Sequence, residues 1–199
     1  MQADTGLSAI SGIVVGGTPA TTLIFDTFTD TNGTNLTAHT ADTNQGTGWL
    51  ADTGTITVQS NQANCGSGFP YYAIDAGQAN VTITALVTPT GTAAAGVSGR
   101  VSNATNSWDI DIDAVSGGHL FIYEQVSGTF TVRASTTAAI SSGTQYTVQA
   151  VFSGNNVTAT VNGGNQIAYG AANSNQTVTK HGINLAGSWN ADNFKVTNP

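Results

Sequence analysis

Two stretches alternate over most of their length: Asn80–Val87 reads NVTITALV, and Gln145–Phe152 reads QYTVQAVF. In the first, Val81, Ile83, Ala85 and Val87 share one parity; in the second, Tyr146, Val148, Ala150 and Phe152 do. Successive side chains on a strand point to opposite faces. Each run therefore presents one apolar face and one face of mainly polar residues. That is the pattern of sheets with one side on a core and the other in water.

Further strand-like runs lie at 23–28, 54–59, 71–75, 95–101, 107–114, 119–125, 128–135, 156–162, 166–169 and 192–196. Asn-Gly at Asn32 and Asn162, Ser-Gly at Ser127 and Gly-Asn at Gly154 supply turns between runs. Thr, Gly, Ser, Asn, Ala and Val dominate, while strong helix formers such as Glu, Met, Lys and Arg are scarce. No window carries a helical apolar stripe. Many short strands with turns between them predict an all-β, two-sheet sandwich. No exact internal repeat is visible, which argues against a solenoid or propeller.

The chain has 199 residues, enough for one domain with a proper core. Charged residues make up 8%, against about 25% in an average soluble domain. Lys plus Arg is 4 and Asp plus Glu is 11, giving a formal net charge of -7. Four basic residues cannot build a phosphate-tracking patch, so neither nucleic acid nor an anionic membrane surface is an expected partner. No apolar run is long enough to span a bilayer. The first residues, MQADTGLSAISGIVVGG, lack the basic and long apolar regions of a secretory signal. The sequence thus reads as a complete small protein without an export signal. A single cysteine, Cys65, rules out an internal disulfide framework and reads as an inert thiol.

Residues 1–22 differ from the rest, with small residues, Gly16-Gly17, Pro19 and no aromatic ring. They read as an N-terminal arm or linker ahead of a domain over 23–199. The arm's one apolar run, Ile13-Val14-Val15, is its expected attachment device.

Four stretches, in order, carry a family resemblance. Asp26-Thr27-Phe28 is followed by Asn32-Gly33-Thr34, Leu36, His39, Asp42 and Gly48-Trp49. Ala95-Gly96-Val97 leads to Arg100 and Trp108-Asp109-Ile110. Leu120-Phe121-Ile122-Tyr123 precedes a Ser-Gly turn and Phe130. Tyr146-Thr147-Val148 leads to Gly154-Asn155, Val157 and Val161-Asn162-Gly163, and Asp192-Asn193-Phe194 closes the series. In these features the chain resembles the LamG-like, concanavalin-type jelly-roll modules, above all those of tailed-bacteriophage structural proteins and bacterial surface proteins. The resemblance implies two curved antiparallel sheets, with first and last strands paired and Asp26 near Asp192. It implies no single activity.

The run Trp108-Asp109-Ile110-Asp111-Ile112-Asp113 places three carboxylates on one strand face. Related jelly-roll glycoside hydrolases carry a Glu-x-Asp-x-Glu pattern on one strand, and this run mimics it with Asp throughout. Its plain reading is a solvated strand face that discourages aggregation. A sugar site, a cation site or a catalytic pair are the sharper readings. The only glutamate, Glu124, lies on another strand.

Asp26, Asp30, Asp42 and Asp192 lie in or beside Gly/Asn-rich loops. Asx-turn capping is their plain reading. Modules of this resemblance often hold one structural calcium near the joined termini, for which Asp26, Asp30 and Asp192 are the candidate ligands; no other cofactor is expected. His39, His119 and His181 show no zinc spacing, and His39 is expected to play a structural hydrogen-bonding role. No nucleophile elbow or phosphate loop occurs.

Rings can stack on pyranoses while Asn, Asp and Gln bond their hydroxyls. Trp49, Tyr72, Trp108 and Trp189, with Asp109 and Asp111, are the glycan-binding candidates; core filling is the alternative for the rings. Tyr71 and Tyr72 must point to opposite faces, so one of the two is expected to be exposed.

The leading functional expectation is a non-catalytic structural protein of a virion surface: a head decoration, fibre or tail-associated protein. Other virion proteins would be its partners, with host glycans as a further partner and a homotrimer as the expected assembly. The alternatives are a carbohydrate-binding lectin-like module on a bacterial surface or secreted, and a jelly-roll glycoside hydrolase.

Overall fold

A computed structural model describes residues 19–45 and 47–199. Ile13, Val14 and Val15 of the expected arm lie outside the described residues. The strands are β1 (Thr22–Asp26), β2 (Leu50–Thr53), β3 (Thr57–Val58), β4 (Ala63–Asn64), β5 (Tyr71–Asp75), β6 (Val81–Thr88), β7 (Ala95–Asn103) and β8 (Asn106–Asp113). They continue as β9 (His119–Val126), β10 (Thr129–Thr137), β11 (Tyr146–Ser153), β12 (Asn156–Val161), β13 (Gly164–Tyr169), β14 (Lys180–Asn184) and β15 (Asn190–Thr197). The helical pieces among the described residues are two 3-10 turns, Leu36–Ala38 and Val115–Gly117. Among the described residues no helix is long and apolar enough to cross a membrane.

The strands form two antiparallel sheets. One has 8 strands, in the order β13-β12-β11-β6-β15-β4-β3 with β1 also on β15; the other has 7, in the order β10-β9-β8-β7-β14-β5-β2. This is the two-sheet sandwich that the alternation predicts, in the jelly-roll form that the resemblance implies. The two alternating runs are its spine. Val81 pairs with Phe152, Ile83 with Ala150, Ala85 with Val148 and Val87 with Tyr146. Seven of these eight side chains are fully buried and Tyr146 nearly so, so the apolar parities face inward together. Burying each Val or Ile is worth roughly 1.5–3 kcal/mol.

Facing them across the core are Trp108, Ile110 and Ile112 of β8, Leu120 and Ile122 of β9, and Ile74 and Ile183 of β5 and β14. The first strand pairs with the last, Asp26 opposite Phe194, as the resemblance implies. Asn162 and Gly163 both take positive φ (50° and 71°), the geometry of a two-residue hairpin turn, and join β12 to β13.

Beneath β1 lies a buried polar hub. Asp26 Oδ2 accepts from Trp49 Nε1 at 2.7 Å, and Asp26 Oδ1 accepts from the Phe28 amide at 2.7 Å. His39 Nε2 meets the same Oδ1 at 2.9 Å, while its Nδ1 meets Asp30 Oδ2 at 3.0 Å. Only a doubly protonated ring donates from both nitrogens. Burial alone would push His39 down; the bonds to Asp30 and Asp26 more than offset it and hold the imidazole above its ordinary range. The structural role expected for His39 is the one its contacts describe.

Candidate functional site

Strand parity puts the second side-chain set of β8 on the outer face of the seven-stranded sheet. One row runs across five strands in register: Phe121, Asp111, Gly96, Asn184 and Tyr71. The next row is Tyr123, Asp109, Ser98, Gly182 and Ala73. With no side chain at Gly96, Asn184 reaches over it, and its Nδ2 donates to Asp111 Oδ1 at 2.8 Å.

Asp109 is fully buried, with both oxygens in hydrogen bonds. Its Oδ1 accepts from Ser98 Oγ at 2.7 Å; its Oδ2 accepts from Tyr71 Oη at 2.9 Å and from Ser107 Oγ at 3.1 Å. Asp111 has Asn184 as its donor. Burial pushes both carboxyls above the usual carboxylate range, and the neighbouring Asp109 charge adds to the rise at Asp111. Because Asp109 has the three hydroxyl donors, Asp111 is the better proton holder of the pair. Burial, then the charges of Asp109 and Asp111, also push Tyr71 upward. Tyr123 is pushed up to about 12, first by burial and then by Asp111 and Asp113.

Above this floor opens a cavity of about 590 Å³. Tyr71, Asp111 and Asn184 form its polar base. Phe69, Tyr123, Phe130 and Leu185 are its walls, and Phe69 and Phe130 are 66% and 48% exposed. Tyr123 stacks on Phe121 at 5.1 Å and meets Phe130 edge-on at 6.1 Å, so β9 and β10 present an aromatic ladder along the groove. This combination of ring faces above a hydrogen-bonding floor is suited to a hydroxylated ring.

The structure corrects several expectations. Asp109, Asp111 and Asp113 are not a solvated face: they are 0%, 4% and 8% exposed, covered by side chains from neighbouring strands. Trp49, Trp108 and Trp189 are all buried, so their ring faces are closed to a sugar. Trp49 packs on Phe194 at 5.1 Å, and Trp108 Nε1 donates to the Ser174 carbonyl at 3.1 Å. Tyr72 is buried in the core; it is Tyr71 that faces the groove, and neither tyrosine is exposed. The sequence reading missed Phe69 and Phe130. The signal was present: Phe69 follows Gly66-Ser67-Gly68 in a turn, and Phe130 and Val132 share a face of an edge strand just after a hairpin.

The calcium candidates are brought near one another but do not fit an ion. Calcium needs six to eight oxygens. Both Asp26 oxygens serve Trp49, His39 and Phe28, and Asp30 serves His39, Thr31 and Thr34. Asp192 lies close enough to feel the Asp26 charge, yet its Oδ1 caps the Asn193 amide at 2.7 Å. Among the described residues no group of three or more His, Cys, Asp or Glu is placed to hold a metal ion. Strand parity sets Glu124 on the opposite side from the groove-lining Tyr123 and Gln125, where it accepts from Arg133 and Ser174.

No protein-family model matches the chain, and no curated protein sequence matches it. Solved structures do. The carbohydrate-binding module CBM66 from Bacillus subtilis is similar with a TM-score of 0.57 at 15% identity, over 75% of this chain and 91% of that one. A mutant of the GH43 protein BlXynB from Bacillus licheniformis is similar with a TM-score of 0.58 at 13% identity, over 87% of this chain and 38% of that one. The exoplasmic/lumenal domain of VIP36, in a form bound to calcium and Man3GlcNAc, has a TM-score of 0.50 at 11% identity, over 74% of this chain and 82% of that one. At such identities the likeness is one of fold: a concanavalin-like jelly-roll sandwich.

Proposed function

We propose that this chain is a carbohydrate-binding, lectin-like module, and that the outer face of its seven-stranded sheet holds the glycan. The observation that carries this reading is the 590 Å³ groove, with exposed rings on its walls and buried Asp111, Asn184 and Tyr71 on its floor. The reading is supported by similar structures that are named for carbohydrate binding or hold an oligosaccharide.

Binding without cleavage is the better account of the acidic row. Hydrolysis needs two carboxyls flanking one bond. Asp111 faces the cavity, whereas Asp109 lies below it with both oxygens taken. A virion setting, with attachment through residues 1–22 and a homotrimeric assembly, rests on the sequence resemblance alone.

The test is a titration against a panel of soluble oligosaccharides and polysaccharides. Phe69→Ala and Phe130→Ala are each expected to weaken binding about tenfold, the value of one good aromatic contact. Thermal unfolding is expected to change little, because Phe69 is mostly in solvent and Phe130 about half exposed on an edge strand. Wild-type protein that binds no member of the panel, or variants that bind as the wild type does, would contradict the reading.

A further inference from the structure

We infer that the groove selects glycans carrying a free amino group, with the ammonium seated between Asp111 and Asn184; this rests on the glycan reading above. Two features of the floor point there. The first is an orphan acceptor. Asn184 lines the cavity and is 5% exposed; its Nδ2 is committed to Asp111, while its Oδ1 is buried with no partner. The second is a buried carboxyl, Asp111, with no cationic partner among the described residues. Among the described residues no Lys, Arg or His lines the cavity. The basic side chains that meet carboxylates do so outside the cavity: Arg133 at Glu124, His39 at Asp26 and Asp30, and His119 at Asp113.

An ammonium has three donors and no acceptor, and a hydroxyl has one donor. Asn184 and Asp111 both line the floor and are joined by the Nδ2 bond at 2.8 Å, so an ammonium between them has donors for both Asn184 Oδ1 and the Asp111 carboxyl. A buried carboxylate is stable only when paired, and the amine supplies the missing cation. Burial with the nearby Asp109 charge leaves Asp111 reluctant to ionise when alone, so the pairing forms with the ligand. A uronate or a sulfated sugar would instead bring a second negative charge to the acidic row, which disfavours it. The formal net charge of -7 draws cations in the same direction.

The experiment uses the full chain and a glycan array of matched sets. Each set holds one backbone with glucosamine, N-acetylglucosamine or glucose units, and a parallel set uses galactosamine, N-acetylgalactosamine and galactose; oligogalacturonate is the acidic probe. The free-amine member is expected to bind at least about tenfold tighter than its hydroxyl counterpart, as a charge-assisted hydrogen bond allows. Oligogalacturonate is expected to bind weakest. In Asp111→Asn the ratio of amine to hydroxyl binding is expected to fall to near one. Equal binding of amine and hydroxyl members by the wild type overturns this inference and leaves the glycan reading standing. Binding of no member overturns both.

Discussion

Asp26→Ala is expected to cost about 4 kcal/mol of folding stability, read as a lowered denaturation midpoint in urea. Asp26 is fully buried and accepts from Trp49 Nε1, His39 Nε2 and the Phe28 amide. Removing its carboxylate strands those three donors where water does not reach, and it leaves a cationic imidazole facing Asp30 alone. Trp49 is also the ring on which Phe28 and Phe194 pack, at 5.9 and 5.1 Å, so a loosened indole disturbs the joint between first and last strands. Asp26→Asn keeps one acceptor and is expected to cost about half as much. The effect has a pH signature. A histidine whose folded pKa is raised stabilises fully below its unfolded value of about 6.5 and loses that contribution as pH rises through the folded value. The gap between wild type and Asp26→Ala is therefore expected to be wider in mild acid than in alkali. An alanine variant within about 1 kcal/mol of the wild type would mean that the hub is not the anchor described here.

Gly182→Ala is expected to be the most damaging change available in the seven-stranded sheet that adds only a methyl group. A β-carbon on Gly182 would lie 1.8 Å from the Tyr72 carbonyl oxygen and 2.8 Å from the Ala73 Cα. Both obstacles are backbone of β5, so no side-chain rotation relieves them. The sheet must open between β14 and β5, the two strands that carry Asn184 and Tyr71 to the groove floor. The expected loss is about 3 kcal/mol, at the upper end of overpacking costs. Gly48→Ala is the control: nothing lies within 4 Å of its β-carbon position, and it is expected to be near neutral. If Gly182→Ala unfolds at the wild-type midpoint, the close approach of β5 and β14 is wrong.

These two positions also mark where the sequence is legible and where it is not. β6 and β11 are plain because each has one wet face, so alternation in polarity reports alternation in burial. β14 was not expected from the sequence. Its residues, Lys180-His181-Gly182-Ile183-Asn184, show no alternation because both faces are covered: His181 and Ile183 lie on the core side, Gly182 and Asn184 on the groove side. Strand parity correctly put Asp109, Asp111 and Asp113 on one face. Their burial could not be read from their own strand, because Tyr71 and Asn184 come from segments distant in sequence. Trp49 and Trp189 are glycan-binding candidates by residue type, but long-range packing closes over both. A local pattern thus fixes which way a side chain points, and only the strand neighbours decide what it meets.

The central claim is that the outer face of the seven-stranded sheet is where a glycan sits. It is tested most directly by a two-dimensional 1H–15N NMR titration of the assigned protein with the best-binding oligosaccharide of the panel. The expected result is saturable shifts confined to Tyr71, Asp111, Tyr123, Phe130 and Asn184, including the Asn184 side-chain amide, with the eight-stranded sheet unmoved. Saturable shifts centred on β6, β11 and β12 instead, with the Asn184 amide still, would contradict it.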